Sequence, residues 1–254
     1  MTPEASSWSF EPLFLAFAAL GGILYARAAR REPVPPWRIG LFAAGLTLVA
    51  GALNSPLETV AAHYLLLVHL LQNVMIADWA PPLLILGLTP RMRAALAARG
   101  GKPWALLTRP RVALPTWLVG WYAIHVAGFY DFALENPWAL NVEHALLVVI
   151  GMLFWWPVLA GEPHELPTPL TLAYLAAGFV GSAFLGLALT FSPGVFYDFY
   201  ADAPRLWGIS AIKDQNLGGI LMSAEQALIF FTAITYFLVR LLKEEEAAHP
   251  TRER

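Results

Sequence analysis

Four histidines and one methionine are the residues of this sequence best suited to chemistry. His63, His69, His125 and His144 lie in or beside apolar segments, and so does Met222. The chain contains no cysteine, which excludes disulfides and thiolate metal sites. A soft metal ion would therefore have to be bound by imidazole and thioether groups, which are suitable ligands for it. The sequence predicts that these five side chains form a metal site.

Polar side chains near them in the sequence have a predicted role in supporting this site or docking a partner: Gln72, Asn73, Asp131, Glu143, Asp214 and Gln215. Simpler alternatives exist. A lone histidine between helices can be a hydrogen-bonded packing residue, and Asp131 can cap the loop that it enters. Glu143 and His144 are adjacent and point about 100° apart on a helix. We therefore expect one of these two to have a supporting or capping role.

The stretch HYLLLVHLLQNVMIADWAPP, residues 63–82, places several of these polar groups inside an apolar run. If this stretch is one α-helix with about 100° per residue, His69, Gln72 and Asn73 share one stripe. His63 then lies at the edge of the stripe, and Asp78 points away from it.

Asp78 and Glu225 pose a separate question, because an ionised carboxylate near the middle of a membrane is costly unless it is paired or protonated. We expect an interhelical partner or a bound proton for each. The alternative is an ordinary hydrogen-bonded contact that joins helices and has no chemistry.

The elements that position these residues are membrane-spanning helices. Of the 254 residues, 58% are hydrophobic and 13% charged, whereas soluble domains have about 25% charged residues. The apolar runs have the length of helices rather than of barrel strands. The sequence predicts an all-α bundle in one integral domain, residues 1–254, with seven spans near 9–27, 38–54, 63–88, 112–130, 141–160, 170–191 and 217–242. The net charge of −2 argues against a nucleic-acid partner, because phosphate binding needs a basic surface.

Lysine and arginine predict the orientation, since short cytoplasmic loops carry most of them. Fourteen of the sixteen basic residues follow span 1, follow span 3 or lie in the C-terminal tail, where Arg252 and Arg254 are the last two. The N-terminus is therefore predicted outside and the C-terminus in the cytoplasm. This orientation places the four histidines of the predicted site in the outer leaflet, whereas His164 and His249 are predicted to be cytoplasmic surface residues.

Several motifs occur in one order between residues 53 and 242, and together they resemble the CtaG family, the membrane assembly factors of caa-type cytochrome c oxidase. The matching segments are HYLLLVHLLQN at 63–73, APPLLILG at 80–87, HVAGFYDFAL at 125–134, LNVEH at 140–144, FWWPV at 154–158, LTFS at 189–192, WGIS at 207–210 and DQNLGG at 214–219. One tetrapeptide would mean little, but the ordered set is specific.

The resemblance implies a non-enzymatic role in delivering or inserting copper while oxidase subunits mature. It implies a multi-pass protein of the bacterial plasma membrane that works at the outer side. The expected partners are oxidase subunits, the lipid bilayer and a copper donor protein, and the expected cargo is a transiently bound copper ion.

The sequence departs from the family pattern at several positions. Asn73 and Leu140 stand where the family has histidines, Leu70 where it has methionine, and Ser223 where it has tryptophan. A metal-free scaffold that docks oxidase subunits is therefore an alternative. An enzyme is disfavoured, since neither a nucleophile elbow nor an HExxH motif occurs. A retinal protein would need a lysine in the middle of span 7, where there is none.

Overall fold

The computed structural model describes residues 2–248, which form helices and connecting segments without a β-strand among them. His249, Arg252 and Arg254, which the sequence places in the cytoplasmic tail, lie outside the described residues. The helices are α1 Pro12–Ala29, α2 Pro36–Leu53, α3 Pro56–His63, α4 Leu66–Val74, a π-helical segment Met75–Trp79, α5 Ala80–Gly87, α6 Pro90–Leu107, α7 Pro110–Ile124, α8 Ala127–Glu135, α9 Pro137–Leu159, α10 Thr168–Phe191, α11 Asp198–Asp202 and α12 Ala211–Ala248.

The predicted all-α membrane bundle is confirmed. Within residues 2–248, six helical stretches are long and apolar enough to cross a membrane, and a seventh span is obtained if α7 and α8 count as one. These two helices meet at an angle of 70° just after His125, so the predicted span 112–130 is bent rather than straight. The basic segment after the third span, expected as a loop, is the helix α6, which bends at Gly101, where φ is 57°.

Proline begins most of these helices. Pro12, Pro36, Pro90, Pro110 and Pro137 each lie in the first turn of a helix. The N–H groups of the first turn have no partner within the helix. Proline suits this turn because it has no N–H to leave unpaired and because its φ angle is already close to that of a helix. These prolines therefore mark where the helices start.

The third span is not the continuous α-helix that the sequence predicts. The chain leaves helical geometry at Tyr64 and Leu65, where α3 ends and α4 begins, and it passes through the π segment between α4 and α5. A rotation of 100° per residue therefore does not hold from His63 to Asp78, and the expected position of His63 at the edge of the stripe is wrong.

Small residues let the helices approach closely around this span. A Cβ atom at Gly219 of α12 would lie 2.6 Å from the Thr190 nitrogen of α10, and one at Gly151 of α9 would collide with the Ala77 carbonyl of the π segment. α4 also packs against α12. Close approach of backbones is the usual basis of helix association in membranes, and here it brings the π segment against α9, while α4 packs on α12.

Arginine side chains close one end of the bundle. Arg38 donates to the carbonyls of Leu86 and Leu88 at 2.7 and 2.6 Å, and Arg93 donates to that of Leu159 at 2.7 Å. The last carbonyls of a helix lack partners within the helix and carry partial negative charge, so a guanidinium group both bonds and neutralises them. The loops at this end are those predicted to be cytoplasmic.

The orientation of the chain remains a prediction, and reporter fusions test it. Because basic loops are retained in the cytoplasm, fusions after Arg31, at Gly101 and at the C-terminus should give cytoplasmic signals. Fusions at Asn54, Glu135 and Asp202 should give external signals. A cytoplasmic signal at Asp202 would contradict the outer placement of the histidines.

Candidate metal site

His69 lies at the centre of the candidate site and is 1% exposed. Its Nδ1 atom is 2.8 Å from the Tyr200 hydroxyl, which in turn is 2.6 Å from the Ala61 carbonyl. A carbonyl can only accept, so Tyr200 donates its single proton to Ala61 and accepts from the Nδ1–H of His69. Burial also raises the pKa of Tyr200 well above its ordinary value, so the hydroxyl keeps that proton. In the neutral ring, Nε2 of His69 therefore carries a lone pair.

His125 is oriented in the same way. It follows the last residue of α7, and its Nδ1 atom lies 2.7 Å from the Trp121 carbonyl, to which it must donate. Its buried Nε2 atom has no hydrogen-bond partner. Metal-binding histidines commonly donate the opposite N–H to a carbonyl or similar acceptor, so His69 and His125 both have the orientation of potential ligands.

His144 on α9 supplies the third buried imidazole. It is 1% exposed, and its Nε2 atom also has no partner. Its ring centroid lies 5.7 Å from that of His69. The ring of Tyr130 lies 5.0 Å from His69 and 5.5 Å from His125, so it links His125 to this pair. The structure thus brings together three of the four predicted histidines.

The carboxyl group of Glu143 faces the free ring nitrogen of His69. Nε2 of His69 lies 3.7 Å from Oε1 of Glu143, and Asn73 donates to the same oxygen over a long 3.4 Å. When His69 is neutral and Glu143 is ionised, Nε2 and Oε1 both present lone pairs and repel each other unless a proton or another positive charge lies between them. Within residues 2–248, Glu143 forms no ion pair with lysine or arginine.

The positive charge can be a proton or a metal ion. A proton gives either a neutral carboxylic acid that donates to Nε2 or an imidazolium paired with a carboxylate. A metal ion has bonds of about 2.0–2.2 Å to such nitrogen and oxygen atoms, so atoms 3.7 Å apart can contact one ion. Among residues 2–248, no group of three or more His, Asp or Glu side chains is arranged to hold a metal. The His69–Glu143 pair is the closest approach of His69 to a carboxylate within those residues.

Two other predicted residues hold the outer segment that contains Tyr200. Asp131 accepts from the backbone N–H groups of Asp198 and Phe199 at 3.3 and 3.2 Å and so caps α11. Gln215 accepts from the N–H of Phe196 at 2.7 Å and donates to the Gly194 carbonyl at 3.0 Å. Their contacts are with this segment, so they act on His69 only through the position of Tyr200.

Asp214 has a similar structural contact at the start of α4. Its two carboxylate oxygens accept from the N–H groups of Leu66 and Leu67 at 2.8 and 2.9 Å. These are free first-turn donors that a helix must satisfy from outside. The cap fixes the position of α4 and therefore that of His69.

Gln72 and His63 lie near Glu58 of α3 rather than beside the pair of His69 and Glu143. The amide of Gln72 donates to the Ala52 carbonyl at 2.8 Å and to the carboxylate of Glu58. Burial raises the pKa of Glu58 to about 7. His63, at the end of α3, lines a cavity that it shares with Glu58 and His144, so the break in the third span separates it from the contacts of His69.

Met222 and Glu225 lie on α12, and Asp78 lies on the π segment that contacts this helix. Met222 is fully buried, and its methyl carbon would lie 3.4 Å from a Cβ atom at Gly186; its role as a ligand remains a prediction. Asp78 has the interhelical partner that we expected, since Gln226 donates to it at 3.4 Å. Glu225 has a buried Oε2 atom without a partner.

Sequence reasoning missed the roles of Tyr130, Tyr200 and Glu58. Aromatic residues in outer segments are most simply interpreted as interfacial anchors, and nothing in the spacing shows that the Tyr200 hydroxyl reaches a histidine 131 positions earlier. Polar residues inside an otherwise apolar outer segment were the available signal. It was used for the histidines but not for the tyrosines.

Comparisons with known proteins concern the chain as a whole. The model of the cytochrome c oxidase caa3 assembly factor family (Caa3_CtaG) matches residues 22–244. Two relatives, an uncharacterized protein of Mycobacterium bovis and one of Mycobacterium tuberculosis, are each 28% identical to the chain over 84% of its length. The chain spans about a third of those relatives, 36% of each. No solved structure matches. Since the family model covers most of the chain, the resemblance is confirmed, and the chain belongs to the cytochrome c oxidase caa3 assembly factor family.

Proposed function

We propose that this protein assists the assembly of a bacterial cytochrome c oxidase by holding Cu(I) as cargo at the outer side of the plasma membrane. A copper donor protein supplies the ion, and an oxidase subunit receives it. Family membership supports the part of this proposal that concerns oxidase assembly. The geometry around His69 supports the part that concerns copper.

The observation that carries the copper proposal is the pair of facing lone pairs on His69 and Glu143, 3.7 Å apart. Because the Tyr200 hydroxyl donates to the Ala61 carbonyl, it accepts from Nδ1–H of His69, which leaves the lone pair of His69 on Nε2. A buried, uncompensated carboxylate is costly, and a bound cation removes both the repulsion and the net charge. Imidazole is a suitable ligand for copper.

In this proposal His69 and His144 supply the imidazole donors, and Glu143 supplies the compensating charge. The single negative charge of Glu143 balances the single positive charge of Cu(I), so the occupied site is neutral. Asn73 positions Glu143 through its amide. Because the site offers few ligands, the copper ion is released more readily than from a storage site, as transfer to an oxidase subunit requires.

A metal-free scaffold is the second candidate. Two observations favour it: Asn73 and Leu140 replace family histidines, and the described residues contain no group of three metal-holding side chains. In that case a proton lies between His69 and Glu143, and the polar cluster serves to join helices and to dock oxidase subunits.

Copper titration of the purified protein separates the two candidates. The protein should bind about one Cu(I), measured anaerobically against a competing chelator. His69→Ala and His144→Ala should each lower the affinity for Cu(I) at least as much as the loss of a residue that hydrogen-bonds to a metal ligand does, which is roughly 10- to 100-fold. Asp78→Asn is the control, because its contact lies with Gln226. Unchanged copper affinity in both histidine variants, with oxidase maturation lost, would favour the scaffold.

Tyr200 offers a test of ligand orientation that leaves the ligands in place. Tyr200→Phe removes the hydroxyl that accepts from His69 but keeps the ring, and we expect a loss of Cu(I) affinity of about tenfold or more. Tyr197→Phe is a matched control in the same segment, because its hydroxyl bonds only the His125 backbone carbonyl, at 3.1 Å. Equal effects of the two substitutions would mean that packing, not orientation, is what Tyr200 supplies.

The cellular role is tested by deleting the gene. Oxidase polypeptides should still be synthesised, but the enzyme should be poorly assembled or deficient in copper, while other respiratory enzymes stay intact. Copper content and oxidase activity of membranes grown at limiting copper measure this effect. Normal oxidase activity in the deletion strain would refute the proposed role.

A further inference from the structure

A cavity of about 360 Å³ is lined by His144, one of the three buried imidazoles. Its walls come from the N-terminal segment before α1, from α3 and from the start of α9. All three segments are at the end of the bundle that is predicted to be external. We refer to this cavity as the outer chamber.

Hydrogen bonds hold the N-terminal segment over the outer chamber. Ser9 donates to the Leu53 carbonyl at 3.2 Å, the Glu11 N–H donates to Asn54 at 2.7 Å, and Thr59 donates to the Ser7 carbonyl at 2.8 Å. These bonds hold the N-terminal segment across the chamber. The segment thus covers a space that would otherwise be an open groove between α3 and α9.

Cation-binding groups line the outer chamber on two sides. His63 and the buried Glu58 lie on α3, and Glu11 lies on the N-terminal segment, where its carboxylate accepts from Asn141 at 2.9 Å. His144 also lines the chamber, and its buried Nε2 atom has no hydrogen-bond partner. The imidazole of His144 therefore belongs both to the outer chamber and, through its contact with His69, to the buried site.

We infer that the outer chamber is the route by which Cu(I) reaches the buried site, with His63 as the first protein ligand and His144 as the second. This inference rests on the proposed function. The step is a ligand exchange in which the bond from copper to His63 breaks as the bond to His144 forms. The ion keeps its charge, and no electron is transferred. The carboxylate of Glu11 and, in its ionised form, that of Glu58 attract the cation into the chamber.

The first test compares loading rate with affinity. His63→Ala should slow the uptake of Cu(I) on the order of tenfold and change the equilibrium affinity much less than His69→Ala does. His164→Ala is the matched control, since this histidine lines a different cavity with Arg109 and Arg111. If His63→Ala lowers the equilibrium affinity as strongly as His69→Ala, then His63 belongs to the buried site and the inference is wrong.

The second test uses the absence of cysteine from the chain. Ala62→Cys places a single thiol in the wall of the outer chamber. A charged, membrane-impermeant thiol reagent added from outside should label it, and labelling should slow Cu(I) uptake. Ala201→Cys, on the exposed outer helix α11, should be labelled without effect on uptake.

The outcomes distinguish this inference from the proposed function. If wild-type protein takes up no Cu(I), the proposed function fails and the route fails with it. If wild-type protein takes up Cu(I) and the labelled Ala62→Cys variant does so at the same rate, the proposed function stands and only the route is refuted. Failure of the reagent to reach Ala62→Cys, although it labels Ala201→Cys, also refutes the route.

Discussion

The carboxylate of Asp214 determines where the functional half of the third span begins. It accepts two backbone N–H groups, from Leu66 and Leu67, that would otherwise remain unpaired at the start of a helix inside an apolar environment. With this cap, the chain can leave helical geometry before Leu66 and begin a new helix within the span. The rotation of α4 about its axis then directs the side chains of His69 and Asn73 toward Glu143.

The spans could be predicted from the sequence because length, hydropathy and proline position are local properties, and the structure keeps them. The break at Tyr64 could not be predicted, since the segment contains neither proline nor glycine and the cap comes from a distant helix. The π segment changes the helical phase around Asp78 and lies just before Pro81 and Pro82, which cannot donate to the carbonyls of Ala77 and Asp78. The grouping of His69, His125 and His144 followed from predicted depth, but their contacts did not, because Tyr200 reaches them from a separate segment.

The polar groups of this bundle fall into two kinds. Asp131, Asp214 and Gln215 have their hydrogen bonds completed by backbone groups, so they determine structure. His69, His125, His144 and Glu143 each keep a buried atom without a partner among residues 2–248, as do several tryptophan indoles and amide oxygens, although nearly all buried polar atoms in proteins are paired. Missing partners alone therefore do not mark the site, and the clustering of these four residues around His69 is what distinguishes them.

The cap on α4 also has a consequence for the order of biosynthesis. Asp214 follows Leu66 by 148 residues, so a ribosome that adds roughly 5–20 residues per second needs about 7–30 s to make the chain between them. During that time the start of α4 lacks its partner, and Tyr200 is also missing for most of it. The third span therefore enters the membrane early but reaches its final form only when the last helix arrives, so the candidate site is among the last parts of the protein to mature.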